Sequence, residues 1–258
     1  MELGRLLVGA IPFKEGNIND TYRGVVWTDR GERTAIIKDL EPRELANEVL
    51  AAALGRRLGL PVPPACLALA EPEVLDATKG PTIGGGRLVF ASIDVGQPQV
   101  AMLYNGGGGP RVLARLAQWS QMGRLYGFDA LVANIDRHAG NLLFSGDREV
   151  WLIDHGWCFT GPHWHVGDFS APDRAVRSKL REWLTPALDE EQRRVASRAA
   201  ASVEIDAARL DLRAVAVANH LTELLTSGDL EAVLCYIQDR CAHVPRLAAE
   251  TLNIGTLV

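Results

Sequence analysis

The chain has 258 residues, 47% hydrophobic and 23% charged, with a net charge of −5. This composition is typical of a soluble globular protein, and it excludes a broad nucleic-acid surface, which needs clustered Lys and Arg. Four cysteines without a C-x-x-C pair exclude a disulfide framework. The apolar run at the N-terminus is broken by Gly9 and Pro12. It is too short for a membrane span and lacks the layout of a signal peptide, so a cytoplasmic location is expected.

The first hundred residues are predicted to form strands around one helix. Pro42 suits the first position of a helix, and Gly59 ends that helix after Leu58. The β-branched and aromatic runs that predict strands are Leu3–Ile11, a hairpin over 21–38, Ala65–Ala70 and Leu88–Ile93.

From residue 110 the pattern becomes helical. Asp189 with Gln192 resembles a capping box, and Ser227–Asp229 is typical of one helix ending and another beginning. The segments predicted to be helical are 111–133, 188–203, 207–226 and 229–252. These patterns predict an α+β protein whose second half is mostly helical.

One polar segment interrupts the helical pattern (NIDRHAGNLLF, followed by VWLIDHGWCF). Its apolar runs Leu142–Phe144 and Val150–Ile153 are predicted to pair as a hairpin, with Asn141 at the entry and Asp154 at the exit. A carboxylate and an amide oxygen presented together suit Mg²⁺, which keeps several waters and is completed by substrate phosphates. The hairpin therefore predicts a magnesium site.

Asp136 precedes Asn141 by five positions. The same interval separates the proton-accepting Asp from the metal-binding Asn in the protein-kinase catalytic loop. In these roles Asp136 deprotonates an acceptor hydroxyl, while Asn141 and Asp154 bind Mg²⁺ between the β- and γ-phosphates of ATP. The alternative is that all three residues only form turns, which Asn and Asp favour. The coincidence of so many groups of catalytic type favours the kinase interpretation.

The first half of the chain contains the stretches IIKDL and LANEVLAAALGRRLGLPVPP. With the polar segment NIDRHAGNLLF and the WLIDHG that follows it, they resemble the HipA-like kinases and, more distantly, the phosphatidylinositol 3- and 4-kinases. The matches cover about 36–159, and the short chain is similar to the compact, single-domain branch of the family. The resemblance implies a two-lobed protein-kinase-like fold. A small β-rich lobe over 1–92 and a larger helical lobe over 93–258 would hold ATP between them.

The resemblance also implies that Lys38 reaches the α- and β-phosphates of ATP. A Lys at the end of a strand can equally be an exposed residue whose stem packs on the surface. Glu48 favours the first interpretation, because an inward-facing Glu needs a cationic partner and Asn47-Glu48 matches an Asn-Glu pair of the family. Glu44, one turn earlier, is the rival partner.

Nucleotide contacts are also expected from two other segments. In the turn between the first two strands, Gly16 permits a close approach of the backbone to phosphate, although hairpins often carry Gly for turn reasons alone. The other residues of this turn that offer donors are Asn17, Asn19 and Thr21. The crossover between the lobes, where the backbone would bond adenine, is predicted at Phe90, Ala91 and Ser92.

Arg137 and His138, which follow Asp136, have two interpretations each. Arg137 binds a phosphate in bidentate fashion, or it pairs with a loop carboxylate. His138 takes a direct chemical role, or it is a buried residue that bonds the backbone near Asp154. A zinc site is a minor alternative, because its candidate ligands lack a tetrahedral spacing; they are His155, His163, His165 and Cys158.

The sequence thus predicts a kinase that transfers the γ-phosphoryl group of ATP to a hydroxyl, by resemblance that of a protein Ser or Thr. A small-molecule or lipid kinase with the same ATP site, and an ATP-binding regulatory pseudokinase, remain alternatives. The intact set of Lys38, Asp136, Asn141 and Asp154 argues against the pseudokinase. A regulatory protein partner is conceivable, whereas no membrane and no direct nucleic-acid binding are expected.

Overall fold

The computed structural model describes residues 1–12, 20–95, 109–145 and 149–255. The first part of the chain forms a seven-stranded sheet in which β1 pairs with β5 in parallel and with β3 in antiparallel orientation, so that five of the strands close on one another. The strands are β1 (Glu2–Leu6), β2 (Ile11–Pro12), β3 (Thr21–Thr28), β4 (Gly31–Lys38), β5 (Ala65–Ala70), β6 (Thr82–Ile83) and β7 (Gly86–Ile93). The predicted strands over 65–70 and 88–93 are confirmed, whereas the apolar run Leu3–Ile11 forms only the short strands β1 and β2.

The hairpin predicted over 21–38 is confirmed as β3 and β4. Their register runs from Thr21 opposite Lys38 to Thr28 opposite Gly31, and Gly31 takes a φ of 89° that suits glycine in such a turn. Because side chains alternate along a strand, Ile37 points into the core between the strands and Lys38 points to the other face. Lys38 lies opposite Phe90 of β7, and Phe90 packs in the core beneath the first helix.

Helix α1 (Pro42–Arg57) lies against that face of the sheet and is buried from Glu44 to Gly55. Pro42 occupies its first turn, as predicted, and Gly59 follows it with a φ of 72°. Gly55 is needed for packing, because a Cβ there would come within 2.8 Å of Val62 Cγ2. The helix therefore has neighbours on every side, and its polar side chains need partners inside the protein.

The second part of the chain is mostly helical and carries the predicted hairpin of β8 (Leu142–Ser145) and β9 (Glu149–Leu152). The helices are α2 (Gly109–Ala117), α3 (Met122–Leu131), α4 (Lys179–Trp183), α5 (Glu190–Ala207), α6 (Leu212–Ala218), α7 (Leu221–Leu224), α8 (Ser227–Cys241) and α9 (Val244–Thr251). Asp189 and Gln192 form the predicted capping box of α5. Gly123 and Gly127 let α3 approach α5 closely, because a Cβ on either would lie 2.5 Å from a backbone oxygen of α5.

Three predicted helices are each divided in two. The segment 111–133 breaks between α2 and α3, where Trp119 N bonds Leu116 O in a tight turn. His220 adopts a φ of 61°, which separates α6 from α7, and Pro245 lies in the first turn of α9, where its missing N–H is tolerated. These breaks leave the α+β class unchanged. Among the described helices none is long and apolar enough to cross a membrane.

Candidate active site

Three charged side chains meet where β4 faces α1. The Nζ atom of Lys38 lies 2.5 Å from Oε1 of Glu48 and 2.9 Å from Oδ1 of Asp154. The side chains are 14%, 1% and 39% exposed, respectively, so the network opens to solvent at Asp154. Burial alone would lower the pKa of Lys38 and raise that of Glu48, but the attraction of opposite charges outweighs it. The pKa of Lys38 is therefore raised and that of Glu48 lowered, and both are charged at neutral pH.

Glu48, rather than Glu44, is the partner of Lys38. Its second oxygen, Oε2, accepts a hydrogen bond of 2.9 Å from the backbone N–H of His155. Glu44 is buried one turn earlier and lies against Gly156, where a Cβ would come within 2.9 Å of the Glu44 Cγ atom. The structure contains the pairing of Lys38 with Glu48 that the sequence favours.

Asn47 ties α1 to the segment after Asp154. Its side chain is buried, and its Oδ1 atom accepts a 2.9 Å hydrogen bond from the indole N–H of Trp164. Its Nδ2 atom donates at 2.8–3.0 Å to the backbone oxygens of Gly156, Cys158 and Gly161. These contacts, and the hydrogen bond that the His155 N–H donates to Glu48, attach α1 to the segment that follows Asp154.

The hairpin brings Asn141 and Asp154 to the same end of β8 and β9. Leu142 lies opposite Leu152, and the N–H of Ile153 donates to the backbone oxygen of Asn141 at 3.1 Å. Asp154 takes a φ of 58°, a conformation that is unusual for a residue other than glycine and that is often found at functional sites. The bonds to Lys38 hold this carboxylate in place.

Arg137 contacts the end of the hairpin, and its side chain is 0% exposed. Its Nε atom lies 3.1 Å from Oδ2 of Asp129 on α3, and its Nη1 atom donates to the backbone oxygens of Asn141 and Ile153 at 3.1 and 2.7 Å. Of its two interpretations, pairing with a carboxylate is the one the structure contains, although that carboxylate lies on a helix rather than in a loop. Because the Arg137 side chain has no exposed surface and its guanidinium is bonded to these partners, Arg137 positions the end of the hairpin.

Asp136 lies beside this hairpin end. Its backbone oxygen accepts a 2.9 Å hydrogen bond from Asn141 Nδ2, which leaves the amide oxygen of Asn141 as the atom that can bind a cation. Its N–H donates to Asn134 Oδ1 at 2.9 Å. The Asp136 carboxylate forms an ion pair with Lys179 at the start of α4. The sequence interval between Asp136 and Asn141 therefore corresponds to a direct contact.

His138 is not the buried residue of the second interpretation, because its side chain is 47% exposed. Its Nδ1 atom accepts a 3.0 Å hydrogen bond from the Gly140 N–H, and its Nε2 atom lies 3.6 Å from Asp136 Oδ2. Partial burial lowers the pKa of His138 despite the nearby carboxylate. The bond to the backbone is therefore local, and the imidazole faces the same space as Asp136.

The adenine contacts at Phe90, Ala91 and Ser92 stay a prediction. These residues lie in β7, between β4 on one side and β5 on the other, and their backbone groups belong to the sheet. The N–H of Asp94 also donates to the backbone oxygen of Thr34 at 2.9 Å, so the pairing of this strand extends to Asp94. Of the predicted phosphate loop, Thr21 is buried opposite Lys38, and the residues outside the described part are Gly16, Asn17 and Asn19.

The oxygen atoms of Asn141 and Asp154 suit a cation whose coordination is completed by the phosphates of a substrate. Across the described ranges, no three His, Cys, Asp or Glu side chains come together as an all-protein metal site requires, and this applies to the zinc candidates as well. Asn141 and Asp154 at the hairpin end supply one amide oxygen and one carboxylate, the hard oxygen donors that suit Mg²⁺ with substrate phosphates. Asp154 is also open enough to solvent to receive such an ion.

Comparison with known protein families identifies the class of protein, which is a kinase. A family model described as HipA-like kinase matches residues 33–204, more than half of the chain. The chain therefore belongs to the HipA-like kinase family.

A solved structure shares the fold over almost the whole chain. It is the Helicobacter pylori proinflammatory kinase CtkA, which aligns over 98% of both chains with a TM-score of 0.56 and 15% sequence identity. No curated protein sequence matches the chain.

Proposed function

We propose that the protein is an ATP- and Mg²⁺-dependent kinase that transfers the γ-phosphoryl group to a hydroxyl of a protein Ser or Thr. The observation that carries the proposal is the convergence of Lys38, Glu48 and Asp154 beside Asn141 and Asp136. Each of these side chains is of the type that phosphoryl transfer needs, since this reaction depends on positioning and on neutralisation of charge. The protein acceptor follows from the family resemblance.

The donor half of the site binds and orients ATP in this proposal. Lys38 contacts the α- and β-phosphates, and Glu48 keeps its ammonium aimed at them. Asn141 and Asp154 would hold Mg²⁺, which when bound neutralises charge that develops on the phosphate oxygens. We also propose that the sheet with α1 and the helical part form two lobes, over 1–92 and 93–258, with ATP between them.

Asp136 acts on the acceptor. Its carboxylate accepts the proton of the incoming hydroxyl as the oxygen forms its bond to the γ-phosphorus, and the bond between that phosphorus and the β–γ bridging oxygen breaks to release ADP. Asn134 and Asn141 hold the backbone of Asp136 through its N–H and its oxygen, so the carboxylate has a defined position before an acceptor arrives.

Calorimetry tests the donor half directly. We expect ATP to bind in the presence of Mg²⁺ and to bind more weakly when the metal is removed with a chelator. Asp154→Ala should lose the metal-dependent part of the affinity. Binding that is indifferent to Mg²⁺ and to Asp154 would contradict the assignment of the metal site and favour a regulatory pseudokinase.

Labelled ATP separates the acceptor classes. After incubation with an extract of cytoplasmic proteins and metabolites, label in protein that is stable to acid and labile to base indicates phosphoserine or phosphothreonine. Label that appears only in small soluble molecules or in lipid would replace the protein acceptor with one of those classes. The Asp136→Asn variant is the control for label contributed by other kinases. Proteins retained by the immobilised chain would identify a regulatory partner.

A further inference from the structure

Lys179 contacts the catalytic aspartate, although no sequence motif singles it out. Its Nζ atom forms an ion pair with Oδ1 of Asp136, 43 residues away in the chain. The Lys179 side chain is 34% exposed and that of Asp136 is 19% exposed, so the pair lies at the mouth of the site. Lys179 contacts the side-chain carboxylate of Asp136, whereas Asn141 contacts the backbone oxygen of Asp136.

The position of Lys179 is fixed by its own helix. Leu180, the next residue of α4, is 0% exposed and belongs to the main core. Trp183, one turn after Lys179, donates from its indole Nε1 to the backbone oxygen of Arg137 at 2.9 Å. Because Arg137 follows Asp136 directly, α4 is bound to the same loop that carries the catalytic aspartate. The ion pair is therefore part of a built contact.

The other cations near the site are committed elsewhere. Lys38 is held by Glu48 and Asp154 on the donor side. Arg137 is buried and bonded to Asp129 and to backbone oxygens. Over the part of the chain that the structure describes, Lys179 is the Lys or Arg side chain that contacts Asp136. A transferring phosphoryl group spreads negative charge over its equatorial oxygens, and a cation at that position stabilises it.

We propose that Lys179 is a catalytic residue that contacts the γ-phosphoryl group during transfer. In the resting protein its ammonium neutralises Asp136. When the acceptor hydroxyl bonds to Asp136, the ammonium moves to the phosphoryl oxygens, and it keeps its proton throughout while the hydroxyl proton passes to Asp136. This inference rests on the proposed kinase reaction and extends it to the acceptor side.

The first test compares Lys179→Ala and Lys179→Arg with Arg181→Ala, a control on an exposed position of the same helix. We expect Lys179→Ala to lower kcat about 10²–10³-fold, as for the removal of one donor that stabilises transition-state charge, with the Kd for MgATP unchanged within about twofold. Lys179→Arg should recover about tenfold of the loss, and Arg181→Ala should equal the unsubstituted protein. Thermal melting of each variant excludes misfolding as the cause.

A double-mutant cycle separates catalysis from positioning. If Lys179 touches the phosphoryl group, Lys179→Ala still lowers the single-turnover rate about tenfold or more in the Asp136→Asn background. If it only positions Asp136, it has no further effect there, and the proposal is overturned. It is also overturned if Lys179→Ala retains kcat within threefold in an otherwise active protein. Failure of the unsubstituted protein to bind MgATP or to transfer phosphate would instead remove the proposed function itself.

Discussion

The two sides of the candidate active site each contain a lysine paired with an aspartate, but they are built differently. On the donor side, Lys38 is shared between Asp154 and the buried Glu48, and the pKa values of Lys38 and Glu48 move apart. On the acceptor side, Lys179 and Asp136 form one partly exposed pair. The donor side is thus a network fixed in advance, whereas the acceptor side is a contact that a substrate can open.

This difference has an energetic basis. Removing one member of a buried ion pair leaves an uncompensated charge, which costs roughly 3–5 kcal/mol of stability. A pair near the surface contributes about 0–1 kcal/mol, because water screens it and two long side chains must be ordered. Substitutions on the donor side should therefore change both folding and function, and those on the acceptor side should change function alone.

The largest expected effect is on the acceptor side. Asp136→Asn should lower kcat by about 10²–10⁴-fold, because the amide cannot accept the hydroxyl proton. The Kd for MgATP and the melting temperature should remain close to those of the unsubstituted protein. Steady-state kinetics with calorimetry and thermal unfolding measure all three quantities. An equal loss of nucleotide binding would show that Asp136 belongs to the donor side.

Glu48→Gln should have the largest effect on folding. It removes one of the two charges that balance Lys38 in a buried position, and we expect a loss of about 3 kcal/mol in the free energy of unfolding. Denaturant titration measures this loss, and Glu44→Gln is the matched control one turn earlier on the same helix. A greater loss in the control would mean that the packing of α1, rather than the pair, carries the stability.

The buried network on the donor side should also make the stability of the folded protein depend on pH, with a smaller effect than the two substitutions above. The pKa of Glu48 lies below its ordinary value of 4.5 in the folded protein, despite burial, because Lys38 and His155 favour the charged form. The unfolded chain therefore binds a proton that the folded chain does not, and stability falls as the pH drops below about 4.5. One such group contributes about 1.4 kcal/mol per pH unit.

The variants isolate this contribution. Glu48→Gln should have a shallower slope between pH 4.5 and pH 3.5 than the unsubstituted protein, since it lacks the titrating group. Arg181→Ala, which leaves every carboxyl group in place, should keep the slope of the unsubstituted protein. Urea unfolding at several pH values gives both slopes. Identical slopes for all three proteins would contradict the buried network as the source of the acid sensitivity.

The parts of the fold that the sequence predicts well depend on local signals. The hairpin over 21–38, the start of α1 at Pro42 and the capping box at Asp189 are each specified within a few residues. The contact between Asp136 and Asn141 is likewise local. The helices of the structure are shorter than the predicted ones, because an amphipathic pattern continues across short breaks such as the one at His220.

The remaining features depend on contacts between distant parts of the chain. Lys179 lies 43 residues after Asp136, and Asn47 lies 109 residues before Gly156, so no spacing rule connects them. An apolar run predicts a strand, but it does not tell the end of a strand from its middle, so the sequence does not show where β7 ends. The sequence leaves the contacts of Arg137 open, because its partner Asp129 lies on a separate helix, α3.

Asn47 has a consequence for how such an enzyme can be switched off. A rotation of α1 that withdrew Glu48 from Lys38 would strand three carbonyl groups and the Trp164 indole in the interior without partners. Each buried polar group left without a partner costs about 1–3 kcal/mol of stability, so the folded protein does not make this movement under ordinary conditions. In the proposed kinase, Asn47 therefore keeps Glu48 beside Lys38, and an inhibitor would act at the more exposed pair of Asp136 and Lys179.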